Sequence, residues 1–259
     1  MTKQRVVRIS RLAAVIFGGH GKCAIHITRQ LVAEGHLVYS IIRSPEQREE
    51  LEGLGARPIV LDIEKATVDD MAAVIAKAQA TTVLWCAQAG YGSPDRVRAV
   101  DIEGAIRSMD ATAQAGVRRY ISISALDVRD REKVPFPPWY NDRDKAISQQ
   151  VYKVIKLQLD AKLEADRNLV TENTRRKLEY TIVRPNGLSE SPSSGSIEAG
   201  KVHLGAVISR QDVAAVVVAC MKDPSTQGLA FDIIGGDTKI ADAVSQVGKE
   251  RTDTFEGTY

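Results

Sequence analysis

Residues 12–17, Leu-Ala-Ala-Val-Ile-Phe, are an unbroken apolar run, and Gly18-Gly-His-Gly-Lys-Cys-Ala24 follows at once. Residues 25–34 then carry helical periodicity up to Gly35. A buried strand, a glycine turn and a helix in that order leave few folds open. Gly18 lets the chain turn tightly off the strand, and Gly21 lets backbone approach a ligand closely. Ala24 lets the helix pack hard against the sheet. The first N–H groups of the helix, with its positive dipole end, then face whatever lies over the turn, and an anionic phosphate suits them. The G-x-x-G-x-x-A triplet alone is also compatible with an ordinary strand-to-helix turn, so the rest of the chain has to decide.

The segments that follow repeat the unit. Residues 38–42, 57–61, 81–86 and 119–124 read as strands, and 46–54, 68–78 and 95–115 as the helices between them. After 119–124 the rhythm breaks at Pro135-Phe-Pro-Pro-Trp-Tyr140, where three prolines forbid an ordinary helix. A long helix is expected over 147–176, with a break in its charged end at 171–177. Further strands are expected at 180–184 and 228–234, and helices at 209–224 and 241–249. Residues 190–200 read as loop, 201–207 as a short strand, and the last residues as frayed. Alternating strands and helices of this length predict an α/β fold: a Rossmann-type, doubly wound, mostly parallel sheet with helices on both faces. Residues 1–259 are expected to form a single nucleotide-binding domain, with loops at 127–148 and 189–207 on the substrate side.

Composition narrows the partners. A formal net charge of +2, from 35 basic and 33 acidic residues, gives no reason to expect a nucleic acid or a membrane surface. Three cysteines far apart are no disulfide framework, and no Cys/His spacing suggests zinc. Residues 1–9 carry charge and lack the apolar stretch of a signal peptide, and no run long enough to span a bilayer follows. A cytoplasmic protein acting on a small molecule is expected, as a monomer or a homodimer.

The glycine turn, Arg43, Asp62, the end of the fourth strand, Ser124, Ala161-Lys162 with Ala165-Asp166, Tyr180-Thr-Ile-Val-Arg-Pro185 and Ser209-Arg-Gln-Asp-Val-Ala214 together resemble one family. It is the atypical short-chain dehydrogenase/reductase group of NAD(P)-binding Rossmann proteins, near its biliverdin-reductase-like and NmrA-like members. The resemblance implies an NAD(P) cofactor. It places Gly18, His20, Gly21, Lys22 and Cys23 at the phosphates and Asp62 and Ile63 at the adenine. Ala87, Ala89 and Gly90 would lie under the cofactor where it crosses the sheet edge, with Pro185 and Asn186 near the nicotinamide. An acidic residue after the second strand would favour NAD; this chain has Arg43-Ser44 there. A guanidinium fork and a hydroxyl suit a 2′-phosphate, so NADP(H) is the expected cofactor.

The same resemblance implies a serine and a Tyr-x-x-x-Lys pair, in which the phenol gives the proton and the lysine binds the ribose. Ser124 matches the serine. Lys162 matches the lysine in the A-K-x-x-A-D segment and would also contact the cofactor, but Gln158 stands where the tyrosine should be. Tyr152 and Lys156 form a literal Tyr-x-x-x-Lys, six residues early. Both registers stay open. Trp139 and Tyr140 are candidates for a substrate lid or for loop anchors, and Gln158 for orienting a substrate. Three activities follow: an NADP(H)-dependent oxidoreductase on a small organic carbonyl or enone; an NADP(H)-binding isomerase, epimerase or cyclase; and a non-catalytic dinucleotide sensor.

Overall fold

A computed structural model describes residues 11–259; the charged stretch read at 1–9 lies outside the described residues. The elements are β1 Ala13–Phe17, α1 Lys22–Ala33, β2 Leu37–Ile42, α2 Arg48–Gly53, β3 Arg57–Val60, α3 Val68–Lys77, β4 Thr82–Trp85, α4 Pro94–Val97 and α5 Ala105–Gln114. β5 Arg119–Ile123, α6 Asp142–Thr171, α7 Asn173–Arg176, β6 Glu179–Pro185, β7 Leu188–Ser189, β8 Ser196–Gly200 and β9 Ile208–Ser209 follow. The described chain closes with α8 Arg210–Lys222, β10 Leu229–Gly235, β11 Thr238–Lys239 and α9 Ile240–Glu250.

A 9-stranded sheet runs β11-β8-β10-β6-β5-β4-β1-β2-β3. Every pairing from β10 to β3 is parallel, while β8 and β11 add an antiparallel edge. The doubly wound α/β architecture read from the sequence is therefore present. Both faces are covered, so the central strands are apolar without interruption, and alternate residues serve opposite cores. Val15 and Phe17 join Trp85 and Tyr120 in one core, on the side of α3, α5 and α6. Ala14 and Ile16 join Leu84 and Ile121 in the other, on the side of α1, α8 and α9. β1 pairs with β2 on one side and β4 on the other. The chain direction reverses about β1, and that is where a doubly wound sheet opens a crevice at its C-terminal edge.

Several boundaries differ from the sequence reading. α6 begins at Asp142, ahead of the expected 147, because Asn141 and Asp144 form a reciprocal capping box. It bends at Ile155, whose φ of −123° and ψ of 34° are not helical. The helix expected over 95–115 holds a π-helical stretch, Arg98–Gly104. The expected break after residue 171 falls at Glu172, between α6 and α7. Residues 196–200, read as loop, form β8, which pairs with β10 from Asp232↔Gly200 to Gly235↔Ile197. No strand forms over 201–207; the short strand is β9, just beyond it. The tail is packed, not frayed: Phe255 is 1% exposed, and Tyr259 stacks on it at 4.7 Å. The Thr254 amide donates to the carbonyl of Ala230 at 2.8 Å. Among the described residues no helix is long and apolar enough to cross a membrane.

Candidate active site

The turn after β1 meets the turn after β4 at very short range. Gly18 has φ +76°, and a Cβ there would lie 2.6 Å from the Ala87 backbone. Gly19 is equally constrained, since its Cβ would stand 2.5 Å from Cβ of Ser40 on β2. Only hydrogen fits at either position. Gly21 is the N-cap of α1, and no side chain among the described residues caps that end. The amide groups of the first turn are thus free for an anion.

These residues form one wall of a cleft of about 400 Å³ along the C-terminal sheet edge. Gly18, His20, Gly21, Lys22, Cys23, Arg43, Ile63, Ala87, Ser124, Lys162 and Pro185 all line it. At one end Ile41, Leu61, Ile63 and Val100 offer an apolar slot beside Arg43, Arg96 and Glu64. Arg96 Nε lies 3.0 Å from Glu64 Oε1, and Arg43 Nη1 lies 3.5 Å from the same atom. His20 shares this rim: Nε2 sits 2.8 Å from Glu50 Oε2 and Nδ1 3.2 Å from Gln47 Nε2. Two guanidinium groups in one apolar corner suit a phosphorylated nucleoside.

Ser124 and Lys162 also line the cleft. β5 ends at Ile123, so Ser124 projects from the strand end, tied by its amide to the Val183 carbonyl at 2.8 Å. Lys162 comes from α6, beyond the bend, and its Nζ donates to the Ile123 carbonyl at 3.4 Å. The Ser124 hydroxyl donates to Asp166 Oδ2, one helical turn after Lys162. Asp166 is buried, and that burial pushes its carboxyl up to about 6, against the pull of Ser124, Lys162 and Arg184. The π-helical stretch places a second buried carboxyl: Asp101 Oδ2 accepts the Ala89 amide at 2.9 Å, and desolvation raises its pKa while Lys162 lowers it. Burial pushes the Cys23 thiol up to about 11 and raises Cys86 as well, so neither supplies a thiolate.

Other residues singled out from the sequence stand elsewhere. Tyr152 donates from its hydroxyl to Asp160 Oδ1 at 2.9 Å, and Lys156 pairs with Asp160 as well; neither lines the cleft. Gln158 is also outside the lining and fixes the turn after β4, donating to the Gly90 carbonyl at 3.2 Å. Trp139 and Tyr140 meet edge to face at 6.0 Å within a small apolar cluster with Leu126, Val202 and Leu204, and neither lines the cleft. Ser44 caps the short turn Pro45–Gln47, Asp62 accepts the Glu64 amide at 3.1 Å, and Asn186 holds the Ala206 carbonyl at 2.8 Å. Ala89 and Gly90 lie just behind the lining residues Ala87 and Gln88.

Sequence reading missed Gly19, Glu64, Gln88, Arg96 and Arg210. Gly19 was legible in the glycine run, and Arg210 within Ser209-Arg-Gln-Asp-Val-Ala214. Arg210 Nη1 and Lys22 Nζ both reach Glu190 Oε1, at 2.8 and 2.6 Å, across the cleft mouth. Nothing local marks Arg96 or Glu64.

A doubly wound sheet with a glycine-cradled crevice, an uncapped helix end and two guanidinium groups in the cleft suits a dinucleotide. The chain belongs to the NAD(P)H-binding family, whose model matches residues 18–224. It is 37% identical to a UPF0659 protein of Schizosaccharomyces pombe over 89% of this chain and 93% of that one. It is 32% identical to a Bacillus subtilis protein named an uncharacterized sugar epimerase, over 82% of this chain and 88% of that one. A solved structure from Bacillus halodurans, named provisionally as an NAD-dependent epimerase/dehydratase, superposes with a TM-score of 0.74 at 27% identity, covering 90% of this chain and 98% of that one. The protein is an NAD(P)H-binding protein with a Rossmann-type fold.

Proposed function

We propose that the protein is an NADP(H)-dependent reductase of a small organic carbonyl or enone. The observation that carries this reading is one cleft lined both by two guanidinium groups and by Ser124 and Lys162. Arg43 and Arg96 would hold the 2′-phosphate, the α1 N-terminus the pyrophosphate, and Lys162 the nicotinamide ribose. When bound, the nicotinamide supplies a hydride. Ser124 would donate a hydrogen bond to the carbonyl oxygen, where negative charge grows as the hydride arrives. Pro185 lines the same cleft, and the turn held by Gln158 and Asp101 keeps Ala87 and Gln88 in place.

A second reading is kept because none of the seven tyrosines lines the cleft, so the usual phenol acid is missing. An isomerase or epimerase that borrows and returns a hydride is consistent with that, and with the name of the B. subtilis relative. The test is NADPH binding by nicotinamide fluorescence, then NADPH oxidation with methylglyoxal, diacetyl, isovaleraldehyde and cyclohexenone. NADPH consumed in proportion to alcohol or ketone formed supports the reductase. A sugar substrate converted with no net NADPH loss favours the epimerase.

A further inference from the structure

Reduction of a carbonyl consumes a proton as well as a hydride, and the cleft shows no phenol to give it. Lys162 is spoken for by the Ile123 carbonyl and the ribose assigned to it. What stands behind the reacting end is Asp166, 3% exposed, whose contact with the cleft runs through the Ser124 hydroxyl. We infer that Asp166 is the proton reservoir of this site and that Ser124 relays its proton to the carbonyl oxygen. The inference rests on the reductase reading above.

The surroundings of Asp166 fit that task. The ionisable groups facing it are Lys162 on its own helix, Arg184 on β6 and Tyr120 on β5. The Tyr120 hydroxyl is committed to Ser108 Oγ at 2.9 Å, so it does not compete for the carboxyl. The Arg184 guanidinium is engaged with Asp232 at 3.2 Å and the Val128 carbonyl at 2.8 Å. That leaves a buried carboxyl with no guanidinium fork bound to it. Burial favours its neutral form, and the two nearby cations keep the shift from running away. Its pKa of about 6 lets it hold and release a proton near neutrality.

The step balances as follows. The carbonyl carbon accepts the hydride, NADPH being oxidised to NADP+, and the C=O π pair moves onto oxygen. That oxygen takes the proton of the Ser124 hydroxyl, and Ser124 Oγ takes the carboxyl proton of Asp166. The products are an alcohol, a neutral serine and a carboxylate to which Ser124 donates, the arrangement seen in the structure. Once product leaves, water in the cleft returns a proton to Asp166 through Ser124.

The experiment is a single-turnover measurement of NADPH oxidation by the full chain from about pH 5 to pH 8, with the carbonyl of the panel above that the wild type reduces. In the wild type the rate should fall about tenfold per pH unit above a pKa near 6. Asp166→Asn keeps size and hydrogen bonding but carries no transferable proton. It should lower the rate about 10²- to 10⁴-fold, abolish the inflection, and leave NADPH affinity within about threefold. Ser124→Ala cuts the relay one atom earlier and should also flatten the profile, which keeps the test alive if Asp166→Asn does not fold. An Asp166→Asn or Ser124→Ala variant that is slower but keeps the wild-type inflection would make Asp166 structural and overturn the inference while the reductase reading stands. NADPH binding with no oxidation by any carbonyl of the panel would instead overturn the reductase reading, and the relay with it.

Discussion

Arg43 and Arg96 converge on one oxygen, Oε1 of Glu64, although one directly follows β2 and the other stands on α4. Such a corner holds two cations and one anion before any ligand arrives. A 2′-phosphate would bond both guanidinium groups, with Glu64 as its competitor. Arg43→Ala and Arg96→Ala should each weaken NADPH binding about 10- to 100-fold and NADH binding by less than about threefold. Glu64→Gln should tighten NADPH relative to NADH. Equal loss of both dinucleotides in a fluorescence titration would remove the 2′-phosphate assignment.

Lys162 lines the cleft, while Lys156, earlier on α6, pairs with Asp160 in solvent. Lys162→Ala should therefore raise the Kd for NADPH about tenfold or more, since it would remove the charged contact proposed to the ribose. Lys156→Ala should leave Kd and turnover unchanged. The reverse order, measured side by side, would move the active site to the Tyr152 register.

A buried carboxyl with a raised pKa leaves a trace in stability. Between the unfolded value for aspartate, about 3.9, and the folded value for Asp166, about 6, the native state holds a proton that the unfolded chain has lost. Asp166 thus lowers stability as pH rises through that window and adds no further change above it. Lowered carboxyls such as Asp144 and Asp212 act in the opposite sense, losing their contribution as pH falls. The informative quantity is the difference between the wild type and Asp166→Asn. In urea unfolding that difference should move in favour of the variant by on the order of 1.4 kcal/mol per pH unit up to about pH 6. A flat difference would mean that Asp166 titrates normally.

Phe255 sits beneath β6 and β10, with the Arg184 guanidinium 5.2 Å over its ring. Phe255→Ala should cost about 3–5 kcal/mol in urea unfolding, as for any fully buried aromatic. Loss of less than about 1 kcal/mol would return the tail to the frayed state that its polar composition suggests.

The order of strands and helices, the glycine turn and the start of α8 near Ser209 were legible because each is a local signal. A buried strand is a short apolar run, an uncapped phosphate-binding helix follows glycines, and Ser209 lies next to the amide of Asp212 that it accepts at 3.0 Å. Ser196–Gly200 were unreadable as a strand because polar, Gly-rich sequence becomes β8 only through its pairing with distant β10. Likewise Phe255 is a core residue only because β6 and β10 stand over it. By itself the sequence determined a doubly wound nucleotide-binding sheet with Arg43, Ser124 and Lys162 on its strand ends and long helix. Tertiary structure alone brought Arg96 and Glu64 to Arg43, Asp166 to Ser124, and turned Tyr152 toward Asp160. Those pairings link residues far apart in the chain or depend on the bend at Ile155, and neither long-range closure nor the rotation across a bend is written in local periodicity.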